Sequence, residues 1–171
     1  MLRIHTIDEP VLRQKARRVG RIDASIQRLI DDMVETMLEA PGVGLAAPQV
    51  GLSLRVIVVK ADENTHQLVN PEVVKRSGSQ VGYEGCLSYP GWVGEVERAE
   101  QVVVKGRNRA GKEVRVKADG LTARAFLHEL DHLDGIIFID RLISPESLIR
   151  SEELAARQAE AQGAELATVG A

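Results

Sequence analysis

The residues best placed to do chemistry are two histidines four apart with a glutamate between them. His128-Glu129-Leu130-Asp131-His132 fits the pattern H-E-x-x-H. A helix advances about 100° per residue, so His128 and His132 point within about 40° of each other. Two imidazoles on one helical face can grip one metal ion. Glu129 sits about 100° round from His128, able to reach a water on that metal without being a ligand. Zinc hydrolases use this arrangement: the metal lowers the pKa of the water and the glutamate handles protons. The pattern alone also fits two surface histidines with no metal.

A catalytic metal site takes three protein ligands and keeps one position open. Cys86 is the outstanding third donor. It stands in Gly82-Tyr83-Glu84-Gly85-Cys86-Leu87-Ser88-Tyr89-Pro90-Gly91, read as a loop between strands whose glycines let backbone approach a bound group. A lone cysteine is more often a small buried hydrophobe, but these flanks make a poor core strand. The segment Gly42-Val43-Gly44-Leu45-Ala46-Ala47-Pro48-Gln49-Val50-Gly51 is dense in small residues, and Gln49 is its one polar side chain. Read alone, Gln49 is a turn amide that hydrogen-bonds its own loop.

Regular elements must hold these pieces. Ile26, Leu29, Ile30, Met33, Met37 and Leu38 predict a helix from about Ala24 to Ala40, with Asp23 as N-cap and Pro41-Gly42 as its stop. Arg55–Lys60 reads as a buried strand. Leu68-Val69 and Val73-Val74 read as strand pieces broken by Asn70-Pro71. Gln101–Lys105 and Glu113–Lys117 form a hairpin across the turn Asn108-Arg109-Ala110-Gly111. The histidine helix is expected from about Leu121 to Asp134, with Gly135 as its stop. Ala123, Phe126, Leu127, Leu130 and Leu133 give it an apolar back behind its histidine front. From Pro145 the pattern is helical again, with fraying expected over 163–171.

Composition bounds the rest. The chain has 171 residues, 44% hydrophobic and 27% charged, values of a folded domain. Its net charge of −3 argues against DNA binding through basicity. No run approaches the roughly 18–20 apolar residues of a membrane span, and the first residues lack a secretory signal. One cysteine rules out an internal disulfide framework and suits a reducing cytoplasm.

Taken in order, Gly42–Gln49, Glu84-Gly85-Cys86-Leu87-Ser88 and His128–His132 resemble the three signature motifs of the peptide deformylases. The flanks Asp8–Arg13, Asn70-Pro71 and His132-Leu133-Asp134-Gly135 match as well, and the similarity covers about residues 3–145. The resemblance implies an α+β fold, with mostly antiparallel sheets around a central metal-binding helix, an outer N-terminal helix and a C-terminal helix over one edge. It implies a catalytic unit over 1–150 and a helical extension over 151–171. Cys86, His128 and His132 would ligate one divalent metal, Fe²⁺ natively, with Zn²⁺, Ni²⁺ or Co²⁺ as substitutes. The substrate would be a nascent polypeptide beginning with formyl-methionine, cleaved by attack of metal-held water or hydroxide on the formyl carbon. Glu129 would be general acid and base. Gln49 and the Leu87 N–H would stabilise the oxyanion. Val43 and Gly44 would flank the substrate backbone. Leu121, Arg124 and Ala125 would line the methionine pocket, with the Arg124 head reaching solvent and its stem packed. Glu84 would pair with Arg98 to hold the Cys86 loop; read alone, Arg98 is a solvated charge.

Two departures stand out. Family members usually carry Gln before the first helix histidine; here it is Leu127, on the apolar back, which implies a packing change and intact chemistry. Some members dock on the ribosome through a basic C-terminal helix. This tail is acidic after Ser151, so weak, salt-fragile ribosome association is expected. A metallopeptidase with a different third ligand, a non-catalytic binder of N-termini, and a hydrolase of other formyl or acetyl amines are the competing functions.

Overall fold

The computed structural model describes residues 1–170; Ala171 lies outside the described residues. Three helices, α1 (Ala24–Glu39), α2 (Gly120–Leu133) and α3 (Ser151–Gly170), accompany eight strands. β1 (Gly44–Ala46), β2 (Val56–Val59), β3 (His66–Ser77), β6 (Gln101–Arg107) and β7 (Glu113–Asp119) form one antiparallel sheet in the order β1-β2-β3-β6-β7. β4 (Gln80–Cys86), β5 (Tyr89–Arg98) and β8 (Ile149–Arg150) form a second, also antiparallel. The α+β arrangement expected from the resemblance is the one observed.

Two helices share one strand as their floor. Val56-Ile57-Val58-Val59 is apolar at every position because β2 is buried on both faces. Val56 and Val58 join Leu45 and Val69 against Ile26, Leu29, Ile30, Met33 and Met37 of α1. Ile57 and Val59 join Leu68, Val102 and Val104 against Ala123, Phe126, Leu127, Leu130 and Leu133 of α2. Each large side chain so buried contributes roughly 1.5–3 kcal/mol. This fixes the back of α2, so its other face must look away from the five-stranded sheet. Asp23 caps α1, accepting from the N–H groups of Ser25 (3.0 Å) and Ile26 (3.1 Å). α3 packs beside β5 and β8, at the edge of the smaller sheet. Its Ala-, Glu- and Gln-rich composition favours a helix.

Two local expectations need correction. Residues 82–91 are a hairpin of β4 and β5, so Cys86 ends a strand and only Leu87-Ser88 turn the chain. β3 also runs unbroken through Asn70-Pro71, with a register irregularity between Val69 and Glu72. Asn70 absorbs that irregularity in the left-handed region (φ 52°), which Asn tolerates better than most residues. Its buried amide donates to Val19 O and accepts from Val19 N–H, both at 2.8 Å, which ties residues 15–19 to the sheet. Asn70→Ala removes both bonds and leaves an unfavourable φ. We expect it to lower unfolding free energy by about 2–4 kcal/mol in urea titrations, against near-zero change if the amide were dispensable.

Candidate metal centre

The histidine front of α2 faces the hairpin β4–β5, and the donor atoms meet there. One ligand atom from each of Cys86, His128 and His132 lies within 4.8 Å of the others. Cys86 Sγ is 3.3 Å from His132 Nε2. The imidazoles are buried and packed edge to face, with ring centres 5.0 Å apart.

What fixes His128 is Glu84. Oε1 of Glu84 lies 2.8 Å from His128 Nδ1, which leaves Nε2 free as the donor. The same carboxylate takes a two-pronged fork from Arg98, Nε to Oε2 at 2.8 Å and Nη2 to Oε1 at 2.9 Å. Arg98 is buried and is no solvated charge. A third partner was not foreseen. Arg124 was expected to send its head to solvent; its Nη1 instead donates to Glu84 Oε2 (2.8 Å) and to Val96 O (3.0 Å). A guanidinium beside a buried carboxylate gains more from that partner than from water. Burial opposes ionisation of Glu84, but the hydrogen bonds from Arg98 and His128 outweigh it and hold its pKa well below the ordinary carboxylate range.

Gln49 does two things. Its Oε1 accepts from Ala46 N–H in its own loop (2.9 Å), as a turn amide would. Its Nε2 crosses to Ser88 Oγ (3.1 Å) and Cys86 Sγ (3.5 Å). Ser88, fully buried, was not singled out from sequence, although it stands inside the cysteine motif. Gly44 lies so close to Glu129 that a Cβ there would strike Oε2, and a Cβ at Gly42 would come 2.8 Å from Leu87 Cδ1. These two glycines therefore allow Glu129 and Leu87 to line the same space.

That space is a cavity of about 750 Å³ reached by Gly44, Gln49, Cys86, Leu87, His128 and Glu129. Val43 (45% exposed) and Leu121 (56% exposed) stand at its rim, and Ala125 and Arg124 in its wall. Tyr83, Tyr89 and Trp92 also line it, three of the chain's five aromatic residues; only their clustering about Cys86 hinted at this.

Two buried polar atoms here have no partner among the described residues: Glu129 Oε1 and His132 Nδ1. Burial pushes the Glu129 carboxyl up to about 7, and burial pushes His132 well below its ordinary value. His128 is raised despite its burial, chiefly by the nearby Glu129 charge. One thiol sulfur, two imidazole nitrogens and an unpartnered carboxylate suit a divalent transition metal with an open position.

Fold and site together define a metal-dependent hydrolase whose His-Glu-x-x-His motif lies on α2. The family model described as polypeptide deformylase matches residues 1–147, and the chain belongs to that family. It is 56% identical over 140 residues to the peptide deformylase of Alkaliphilus metalliredigens, covering 82% of this chain and 95% of that protein. The crystal structure of peptide deformylase from Thermus thermophilus is 44% identical, with a TM-score of 0.82 and coverage of 94% and 95% of the two chains. A Synechococcus elongatus peptide deformylase solved in complex with actinonin is 42% identical, with a TM-score of 0.82 and coverage of 85% and 81%. The chain is a metal-dependent hydrolase that removes the N-formyl group from nascent polypeptides.

Removing Glu84 would leave Arg124 buried with no counter-charge beside it and Arg98 with only Asp131. Glu84→Ala should cost about 3–5 kcal/mol of stability in chemical denaturation. A cost under about 1 kcal/mol would mean that water repairs the site.

Proposed function

We propose that Cys86, His128 and His132 hold one divalent cation, Fe²⁺ in the native enzyme, with Zn²⁺, Ni²⁺ or Co²⁺ able to replace it. The carrying observation is the convergence of those three donor atoms beside the unpartnered Glu129 Oε1. The cation supplies Lewis acidity, which makes water a nucleophile near neutral pH and polarises the formyl oxygen.

The chain's own residues do the rest. Glu129 Oε1 takes a proton from the attacking water and passes it to the methionine nitrogen as the C–N bond breaks, giving formate and a free amine. Gln49 Nε2–H and the Leu87 N–H donate to the oxygen on which negative charge develops. β1 pairs only with β2 and leaves its other edge free, so an extended peptide can lie along Val43-Gly44 as a further strand. Leu121, Arg124 and Ala125 border the methionine side chain. Glu84 and Arg98 hold the Cys86 hairpin and orient His128. Residues 1–150 make up the catalytic unit and 151–171 a helical extension. α3 opens on Glu152 and Glu153, which suits weak, salt-fragile contact with the ribosome. No helix among the described residues is long and apolar enough to cross a membrane, and the thiol ligand suits the cytoplasm.

Formate release from formyl-Met-Ala-Ser, measured on anaerobically prepared Fe²⁺ or Ni²⁺ protein, tests this. Glu129→Ala should lower turnover by roughly 10²–10⁴ while metal stays bound. Cys86→Ala should lose the metal itself. Full metal occupancy without formate release would favour a non-catalytic binder of N-termini.

Leu127 packs in the core behind α2. Leu127→Gln should therefore leave kcat within about threefold, under about 0.7 kcal/mol of barrier. An increase of orders of magnitude would show that a polar group there serves the chemistry.

A further inference from the structure

The charge chain that begins at His128 does not stop at Arg98. Arg98 Nη1 donates to Asp131 Oδ2 at 2.6 Å. Asp131 in turn accepts from Arg141, Nε to Oδ2 at 2.6 Å and Nη2 to Oδ1 at 3.1 Å. His128, Glu84, Arg98, Asp131 and Arg141 thus form one continuous line of hydrogen bonds with alternating charge from Glu84 outward. It runs from the metal centre to a second cavity of about 640 Å³ behind α2, where Arg141 is 45% exposed.

We propose that Arg141 is a positioning residue for the metal centre, acting through Asp131 and Arg98 on the Glu84–His128 pair. This rests on the metal reading given above. The reasoning is a competition for one guanidinium. Arg98 is shared by two carboxylates, Glu84 on its Nε and Nη2 edge and Asp131 on Nη1. While the Arg141 fork neutralises Asp131, Asp131 draws little on Arg98, and Arg98 holds Glu84 bidentately. With that fork removed, Asp131 has Arg98 as its one remaining guanidinium partner and pulls it harder. Glu84 then has less positive charge beside it and becomes a stronger acceptor for the His128 Nδ1–H. The imidazole becomes a stronger donor at Nε2.

A purely mechanical clamp predicts something else. Arg141 bridges α2 to the turn after it, so its loss could loosen the fold and leave the metal site as it was. The two accounts separate at the metal. Partners that touch a ligand directly change affinity or activity by 10–100-fold. For a residue three hydrogen bonds further out, on an exposed arm, we expect about 3–10-fold.

The experiment loads wild type, Arg141→Gln and Arg141→Lys with Co²⁺ and reads its Kd by chelator competition, its visible absorption bands, and kcat and KM. Arg141→Gln should bind Co²⁺ about 3–10-fold more tightly, with shifted bands, lower kcat and unchanged KM. Arg141→Lys keeps the charge and should return all three toward wild type. If Co²⁺ affinity and bands are the same in Arg141→Gln as in wild type, the proposal falls, whatever happens to the denaturation midpoint. Weaker Co²⁺ binding, or Lys behaving like Gln, also overturns it. Failure of wild type to bind one Co²⁺ per chain would instead overturn the metal reading beneath it.

Discussion

The structure depends on one buried carboxylate. Glu84 is almost without solvent, yet all of its accepting capacity is used: two bonds from Arg98, one from Arg124 and one from His128. A lone carboxylate at that depth would be too costly to ionise, and two lone guanidinium groups would be little better. Together they are tolerable only in one geometry, because the Arg98 fork is planar and the Arg124 head has a backbone carbonyl, Val96 O, as its other anchor. The partners come from separate elements. Glu84 is on β4, Arg98 ends β5, and Arg124 and His128 lie one turn apart on α2. Satisfying one carboxylate therefore docks the small sheet against the front of α2. The five-stranded sheet packs the helix from behind by hydrophobic contact, which is strong but non-directional. The directional part, the part that sets where His128 Nε2 points, comes from Glu84.

This division of labour explains what could be read in the sequence. Helix periodicity is a hydrophobic signal, so α1, its Asp23 cap and the apolar back of α2 follow from the spacing of Leu, Ile, Met and Ala. The hairpin of β6 and β7 follows from alternation and from Asn108 to Gly111 at its turn. Chemical identity was legible too, since H-E-x-x-H has a geometric meaning on any helix and the motifs at Gln49 and Cys86 narrow it further. Polar contacts over long sequence distances were not. Arg124 lies 40 residues from Glu84, and nothing in a helical wheel tells a snorkelling arginine from a buried one. Asn70 misled for the same reason. Asn-Pro reads as a break when the stretch is taken by itself; the bonds to Val19 that let β3 continue through it cross 51 residues. Cys86 was assigned to a loop because its glycines hide strand character, and that hairpin is fixed by cross-strand pairing with β5.

The electrostatics of the centre suit a metal cation. The two histidines of α2 are pushed in opposite directions: His128 upward, although burial opposes this, by the Glu129 charge and its neighbours Cys86 and Glu84; His132 downward by its own burial and by the positive charge of His128. A metal held by both would need them as neutral donors and would take the place of the proton on His128. Around them stand the carboxylates of Glu84, Asp131 and Glu129, with Cys86 a thiolate were it to ligate a metal, against the guanidinium groups of Arg98, Arg124 and Arg141. With the Arg141 fork on Asp131 included, four negative groups face three positive ones, a deficit of the sign that a metal cation would fill. The same deficit accounts for Glu129. In the absence of a cation its carboxyl sits near 7, since burial makes the charged form costly. A metal cation held by the neighbouring donors would draw that value down, toward a carboxylate able to accept a proton from water and still weak enough to release it to an amine. Glu129 and the three donors Cys86, His128 and His132 are therefore parts of a single charge balance. A substitution at any one of them changes the working state of the others.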